Sequence, residues 1–292
     1  MARSDNLRSI FAMLLAVAFF SLMDTAMKLL VMRYPALQVT ALRGLSSLPL
    51  VLAYVAWRGA GRSLWRVRWP LHLARGLLSI VMLAMFAFAL QSLPLAEAYT
   101  LFFIAPLLIT LLSIPVLKEK VAGAHWFAIV AGFVGVVVAL RPASASFLSI
   151  GALAVLGAAS CYAVNAVLGR LLTRTDSSVS LVFWTTLSLA VGAGLLALPG
   201  WRPVLGDDLP LILGLAVTGF AGQVAITEAF RHGQASVVAP FEYTALAWGV
   251  GIDWVLWASL PKAQTLLGAA IIVASGIYLI RNERVKVAVL PP

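Results

Sequence analysis

At 292 residues, 62% hydrophobic and 11% charged, with a mean hydropathy of +1.00, the chain departs far from soluble proteins, about a quarter of whose residues are charged, and reads as an all-α integral membrane protein. Its net charge of +10 would suit a nucleic-acid partner, yet the basic residues sit in short loops between apolar stretches rather than along one polar face, so no nucleic-acid partner is expected. The single cysteine, Cys161, excludes an intrachain disulfide and leaves the redox compartment open.

A hydrocarbon core of about 30 Å takes about 20 helical residues, and helices are required because unpaired backbone groups are intolerable in lipid. Apolar stretches of that length predict spans near 9–32, 37–57, 70–91, 95–117, 122–140, 148–171, 178–198, 208–230, 235–258 and 263–281. The first follows Arg3 and Arg8 and could pass for the front of a secretory signal. It lacks a small-x-small cleavage site before Asp24 and Lys28, and hydrophobicity resumes at Leu29, so it reads as a retained span. The connections are short and carry proline, glycine or charge, as at Arg33-Tyr34-Pro35, Ser92-Leu93-Pro94, Lys118-Glu119-Lys120, Arg141-Pro142 and Pro199 to Asp208.

Basic residues set the orientation. With a cytoplasmic N-terminus, that side receives Arg3, Arg8, Arg58, Arg62, Arg66, Arg68, Lys118, Lys120, Arg170, Arg174, Arg231, Arg281, Arg284 and Lys286, and the other only Arg33, Arg141, Arg202 and Lys262. This imbalance predicts that both termini lie in the cytoplasm.

The last five spans repeat the first five. A shift that carries Ala89 onto Ala229 also carries Thr25-Ala26 onto Asn165-Ala166 and Leu95-Ala96 onto Ala235-Ser236, and brings Gly135 within one residue of Gly276. A proline falls in the fourth span (Pro106) and another in the ninth (Pro240). Five spans per unit is an odd number, so the units, residues 1–142 and 143–292, are predicted to be two inverted five-helix repeats, a construction used by secondary transporters. Each proline frees a backbone carbonyl, which a neighbour or a wet cavity must satisfy.

Several segments carry a family pattern. Asp24-Thr25-Ala26-Met27-Lys28 closes the first span, Pro35 to Arg43 opens the second, and Ala96 to Pro106 followed by Lys118-Glu119-Lys120 forms the fourth. Gly222-Gln223, Ala235 to Pro240 and Gly268 to Gly276 follow in the second half. Together with the ten spans, they resemble the drug/metabolite transporter superfamily, specifically its EamA-type family. Ser259 stands where the second repeat usually has the glutamate that Glu119 provides in the first. The resemblance is greatest to bacterial exporters of amino acids, including aromatic ones. It implies a central cavity formed mainly by spans three, four, eight and nine, aided by one, two, six and seven.

Candidate substrate-binding residues are Ser79, Met82 and Phe86 on span three, Tyr99, Phe102 and Phe103 on span four, Gln223 and Thr227 on span eight, and Pro240, Tyr243 and Thr244 on span nine. Aromatic surface mixed with hydroxyl groups suits amphipathic metabolites, although aromatics also serve as packing or interface residues. Trp57, Trp65, Trp69 and Trp201 read as interface anchors. Asp24, Lys28, Arg43, Glu97, Glu242 and Pro106 are candidates for gating or coupling. Asp24 and Lys28, four apart, can pair on one helix, and Arg43 and Glu97 can join them. Glu228, Glu242 and Asp253 are open to neutralisation by nearby loop cations or, for the first two, to proton exchange. Gly132, Gly135, Gly268 and Gly276 permit close helix approach, within the chain or in a dimer; a monomer is expected.

No Gly-rich phosphate loop occurs, and His72, His125 and His232 lack metal-ligand spacing, so no cofactor, metal or catalytic residue is expected. The sequence expectation is a secondary transporter that exports small amphipathic metabolites, amino acids among them, by alternating access. Its partners are that small molecule and the lipid bilayer. Alternatives are export of another metabolite or drug-like compound, an integral-membrane enzyme using the Asp207-Asp208 pair on a lipid-soluble substrate, or a structural or receptor-like membrane protein.

Overall fold

The computed structural model describes residues 2–65, 67–117, 123–140, 149–172, 175–232 and 239–287, and among these it is helical with no strand. The first half contains α1 (Ala2–Val31), α2 (Ala36–Trp57), α3 (Trp69–Leu90), α4 (Leu95–Phe102), α5 (Ala105–Leu117) and α6 (Gly123–Leu140). The second contains α7 (Ile150–Leu172), α8 (Ser178–Leu187), a π-helical turn (Ser188–Ala193), α9 (Gly194–Ala197), α10 (Leu209–His232), a 3-10 segment (Ala239–Thr244), α11 (Ala245–Trp257) and α12 (Ala263–Val287). Among the described residues, six helical stretches are long and apolar enough to cross a membrane, and shorter apolar helices cover Leu95–Ile109, Val130–Ala139 and Ala263–Tyr278.

Helix interruptions follow the local chemistry. The fourth apolar stretch is broken between α4 and α5, with Pro106 at the second position of α5, where a missing N–H costs little. The ninth likewise begins as the 3-10 segment that contains Pro240 before continuing as α11. Pro35 and Pro94 occupy the N-cap positions of α2 and α4 with extended backbone, ψ 145° and 151°, so each chain turns from loop to helix on a pre-set φ. Ser177 caps α8 by accepting the Ser180 amide at 3.1 Å.

The most extensive helix packings all join the two halves: α1 lies along α10, α3 along α7, α6 along α12, α2 along both α8 with its π-helical turn and α10, and α5 against α7, with α4 against α11 close behind. Glycine enables two of them. Gly135 and Gly268 face each other across α6 and α12, where an added Cβ would lie 3.0 and 2.7 Å from the opposite carbonyl oxygen. At Gly44 on α2 an added Cβ would overlap the backbone of Leu189 and Ala190 in the π-helical turn.

Loops gather at two ends. At one, Tyr34 Oη donates to Asp208 Oδ2 at 2.6 Å, Arg33 pairs with the same carboxylate, and the Gln38 amide exchanges hydrogen bonds of 2.6 and 2.9 Å with the Arg202 backbone. At the other, Trp184 Nε1 donates to Leu64 O at 2.9 Å and the Ser180 hydroxyl to Ser63 O at 3.0 Å. Asp208, half of the pair on which an enzyme reading rested, is fully buried beneath Arg33 and Tyr34, while Asp207 is exposed. Its geometry is that of a structural anchor.

Candidate functional site

Four segments, α2, α3, α8 with its π-helical turn, and α10, enclose a cavity of about 120 Å³ at the level of the middle of α2 and α10. Ser47, Thr185, Thr186 and Gln223 contribute polar groups, and Arg43 and Arg75 contribute cations. Among the described residues no acidic one lines it. The π-helical turn beside it widens span seven locally, which is where such turns are favoured in functional sites. Gly44 and Gly76 leave room for this turn, Gly76 giving way to the Ser188 side chain.

Each arginine reaches across to the second half and lies at van der Waals distance from a glycine there. A Cβ on Gly219 of α10 would lie 3.8 Å from Arg43 Nε, and one on Gly169 of α7 would lie 3.9 Å from Arg75 Cζ. Arg75 Nε donates to Asn165 Oδ1 at 2.7 Å, and Asn165 Nδ2 donates in turn to Ser79 Oγ at 2.7 Å. This fixes the stem of the guanidinium, yet its Nη1 is buried without a hydrogen-bond partner. Arg43 feels the charge of Asp24.

Most predicted binding residues lie elsewhere. This cavity is lined from spans two, three, seven and eight; of the spans expected to form the main cavity, three and eight contribute to it. Among the described residues, Gln223 of the proposed binding set and Arg43 of the gating set line it. The aromatics pack on one another: Phe86 stacks on Tyr99 with 14° between ring planes, meets Phe102 edge-on at 5.6 Å, and Phe102 meets Tyr162 at 5.4 Å. Phe103 packs edge-on against Tyr243 at 5.1 Å, and Met82 is packed against the same core. Thr244 donates its hydroxyl to Phe241 O at 2.6 Å, closing its own turn. Helical spacing placed these residues on common faces, but apolar aromatic faces in the interior satisfy one another first. The side chains of Pro106, Thr227, Glu228 and Pro240, and residues 118–122, which include Glu119, lie outside the described residues.

The expected Asp24–Lys28 pair does not form. Lys28 Nζ turns to Asp253 Oδ1 at 3.2 Å, with the ammonium 4.3 Å over the Trp257 ring, and Asp24 instead accepts the Tyr99 hydroxyl at 2.9 Å. Asp253, 1% exposed, also accepts the Ala96 amide at 2.8 Å in the first turn of α4, where a carboxylate offsets the positive helix end. A cation from span one, rather than a loop residue, therefore neutralises Asp253. Glu97 accepts the Thr265 hydroxyl at 3.4 Å. Glu242 lies close enough to Tyr162 and Tyr243 to act on both electrostatically.

Sequence reading passed over Arg75 and Asn165, though a cation inside an apolar stretch was the signal that could have found them. It also passed over the pair of His72 and Asp176, 2.8 Å apart between α3 and the α7–α8 loop. Burial pushes the Asp176 carboxyl up, but hydrogen bonds from Thr175, His72 and the Arg68 amide outweigh it and hold the pKa below the usual range. A depressed carboxyl contributes stability that is present above its unfolded pKa of about 4 and lost as pH falls through the folded value. D176N is therefore expected to be less stable than wild type at pH 7, with the gap narrowing as the pH approaches 3 in thermal unfolding of purified protein. A gap independent of pH would contradict the assignment.

Comparison with known proteins agrees with this architecture. The model of the EamA-like transporter family matches residues 7–141 and again 149–281. The pseudopaline exporter CntI of Pseudomonas aeruginosa is 30% identical over 275 residues, covering 92% of this chain and 95% of the relative. A riboflavin transporter of Vibrio cholerae is 30% identical over 254 residues, covering 86% and 85%. An S-adenosylmethionine uptake transporter of Rickettsia felis is 27% identical over 271 residues, covering 93% and 92%. One solved crystal structure superimposes with a TM-score of 0.65 over 99% of both chains at 21% identity, a likeness of fold. Matched by the family model along nearly its whole length, and related end to end to named membrane transporters, the chain belongs to the EamA-like transporter family of the drug/metabolite transporter superfamily.

Proposed function

We propose that this chain is a secondary transporter of a small amphipathic metabolite, working by alternating access between two inverted five-helix repeats in the bacterial inner membrane. One observation carries the reading. Numbering the apolar stretches one to ten, the extensive packings between the halves are 1–8, 3–6, 2–7, 5–10, 4–6, 1–9, 2–8, 3–7 and 4–9, and advancing every number by five, with ten followed by one, reproduces the same set. Such invariance is expected of two units related by a two-fold axis. The cavity segments, two, three, seven and eight, map onto themselves under the same shift, which supports a cavity on that axis. Breaks at corresponding places in spans four and nine provide flexible points for closure.

The loop charge imbalance and the gathering of loops at two ends support cytoplasmic termini. The facing glycines of α6 and α12 are occupied within the chain, which supports a monomer. Export of amino acids is the finer reading, supported by the sequence resemblance; the named relatives include both an exporter and uptake transporters, so direction is part of the test. Proteoliposomes containing the purified protein should show saturable counterflow of at least one labelled compound from a panel of neutral, aromatic, cationic and anionic metabolites. Runs with and without an imposed pH gradient report proton coupling. Absence of saturable flux across the panel would reject the transport reading.

A further inference from the structure

Arginines in a membrane interior are costly, and they persist where a carboxylate, a phosphate or water compensates them. The cavity between α2, α3, α8 and α10 holds two of them, Arg43 and Arg75, and, among the described residues, no acid. Asp24, the acid whose charge Arg43 feels, stands outside the lining. Arg75 has its Nε occupied by Asn165, while its buried Nη1 has no acceptor. Asn165 is itself committed to Ser79, so this chain of hydrogen bonds orients Arg75 without neutralising it. A guanidinium held by one edge, with another donor unpaired beside a cavity, is arranged to take an anionic oxygen.

We infer that the cavity binds an anionic group of the transported metabolite, a carboxylate or a phosphate, with Arg75 as the principal donor and Arg43 as the second cation. The inference rests on the transport reading only for what carries the anion; binding itself does not depend on flux. At about 120 Å³ the cavity is smaller than the roughly 300–1,000 Å³ typical of pockets that enclose a whole organic ligand, and so it admits the charged end while the remainder of the molecule needs the halves to part. Ser47, Thr185 and Thr186 supply hydroxyl donors around that end. Both cations come from the first half of the chain, so the charge selectivity of the site resides there even though the helices around it are symmetric.

The test is equilibrium binding to the protein in nanodiscs, read by thermal stabilisation and tryptophan fluorescence, with succinate, inorganic phosphate and the neutral diamide of succinate as probes. Succinate or phosphate should stabilise the wild type and the diamide should not, with the stronger anion identifying the group. R75Q should weaken anion binding at least tenfold with little change in the ligand-free unfolding midpoint, and R75K should retain part of it, because charge survives without the planar fork. If R75Q is too unstable to measure, R43Q is read in its place against the same probes. Diamide binding equal to succinate, anion binding unaffected in the variants, or no anion binding at all would overturn the inference. Anion binding without flux of any metabolite would instead remove the transport reading and leave the anion site standing.

Discussion

D253A is expected to destabilise the protein by about 3–5 kcal/mol, the usual consequence of removing one member of a buried ion pair and stranding the other. Lys28 is 9% exposed and Asp253 1%, so neither charge has ready access to water. The same substitution removes the acceptor of the Ala96 amide at the start of α4, a loss of about 1 kcal/mol on the scale of helix caps. The two contributions separate in K28M/D253A, which removes the stranded cation but not the cap defect. This double variant should recover most of the stability lost in D253A, measured by reversible unfolding in mixed micelles. A double variant as unstable as the single would show that the uncompensated ammonium is not the source of the loss.

G44A should be the most damaging single-methyl change in the protein. The added Cβ would meet the amide nitrogen and Cα of Ala190 and the carbonyl carbon of Leu189, all backbone atoms that no side-chain rotation can move aside. Overpacking of this kind costs about 1–3 kcal/mol, occasionally more, when the neighbours yield only by a backbone shift. Here the shift falls on the π-helical turn that borders the cavity, so transport should fall together with stability. G214A is the matched comparison: it sits in α10 with nothing within 4 Å of the new methyl group, and alanine is the better helix former by about 1 kcal/mol. Its unfolding midpoint should equal or exceed that of wild type. Equal midpoints for G44A and G214A would contradict the close approach of α2 to span seven.

The helices were legible because lipid allows so few alternatives. Continuous hydropathy located the apolar helices, six of them long enough to cross a membrane among the described residues, and Pro106 and Pro240 lie in two of the stretches that break. Pairing was legible only in outline. Lys28 lies four residues from Asp24 and 225 from Asp253, and nothing local indicates that the distant carboxylate is the partner. Aromatic spacing on spans three, four and nine marked the residues, but not that Phe86 would stack on Tyr99 or Phe103 pack against Tyr243, contacts that depend on the tertiary fold. The π-helical turn has no strong sequence signature beyond nearby Gly192 and Gly194. Arg75 carried a signal, a cation within an apolar stretch, but its distinguishing property, an unpaired Nη1, depends on where Asn165 and Gly169 come to rest.

The cross-pairing of the halves bears on how the chain is made. When the first five helices leave the ribosome, α1, α2, α3, α4 and α6 still await their principal partners, none of which has yet been synthesised. Lys28 in particular enters the bilayer long before Asp253 is translated, so it must be shielded by the insertion machinery or by water until the ninth stretch arrives. A nascent chain halted after its first half would be an open set of helices with exposed glycine faces and an unmatched ammonium, a natural target for membrane quality-control proteases.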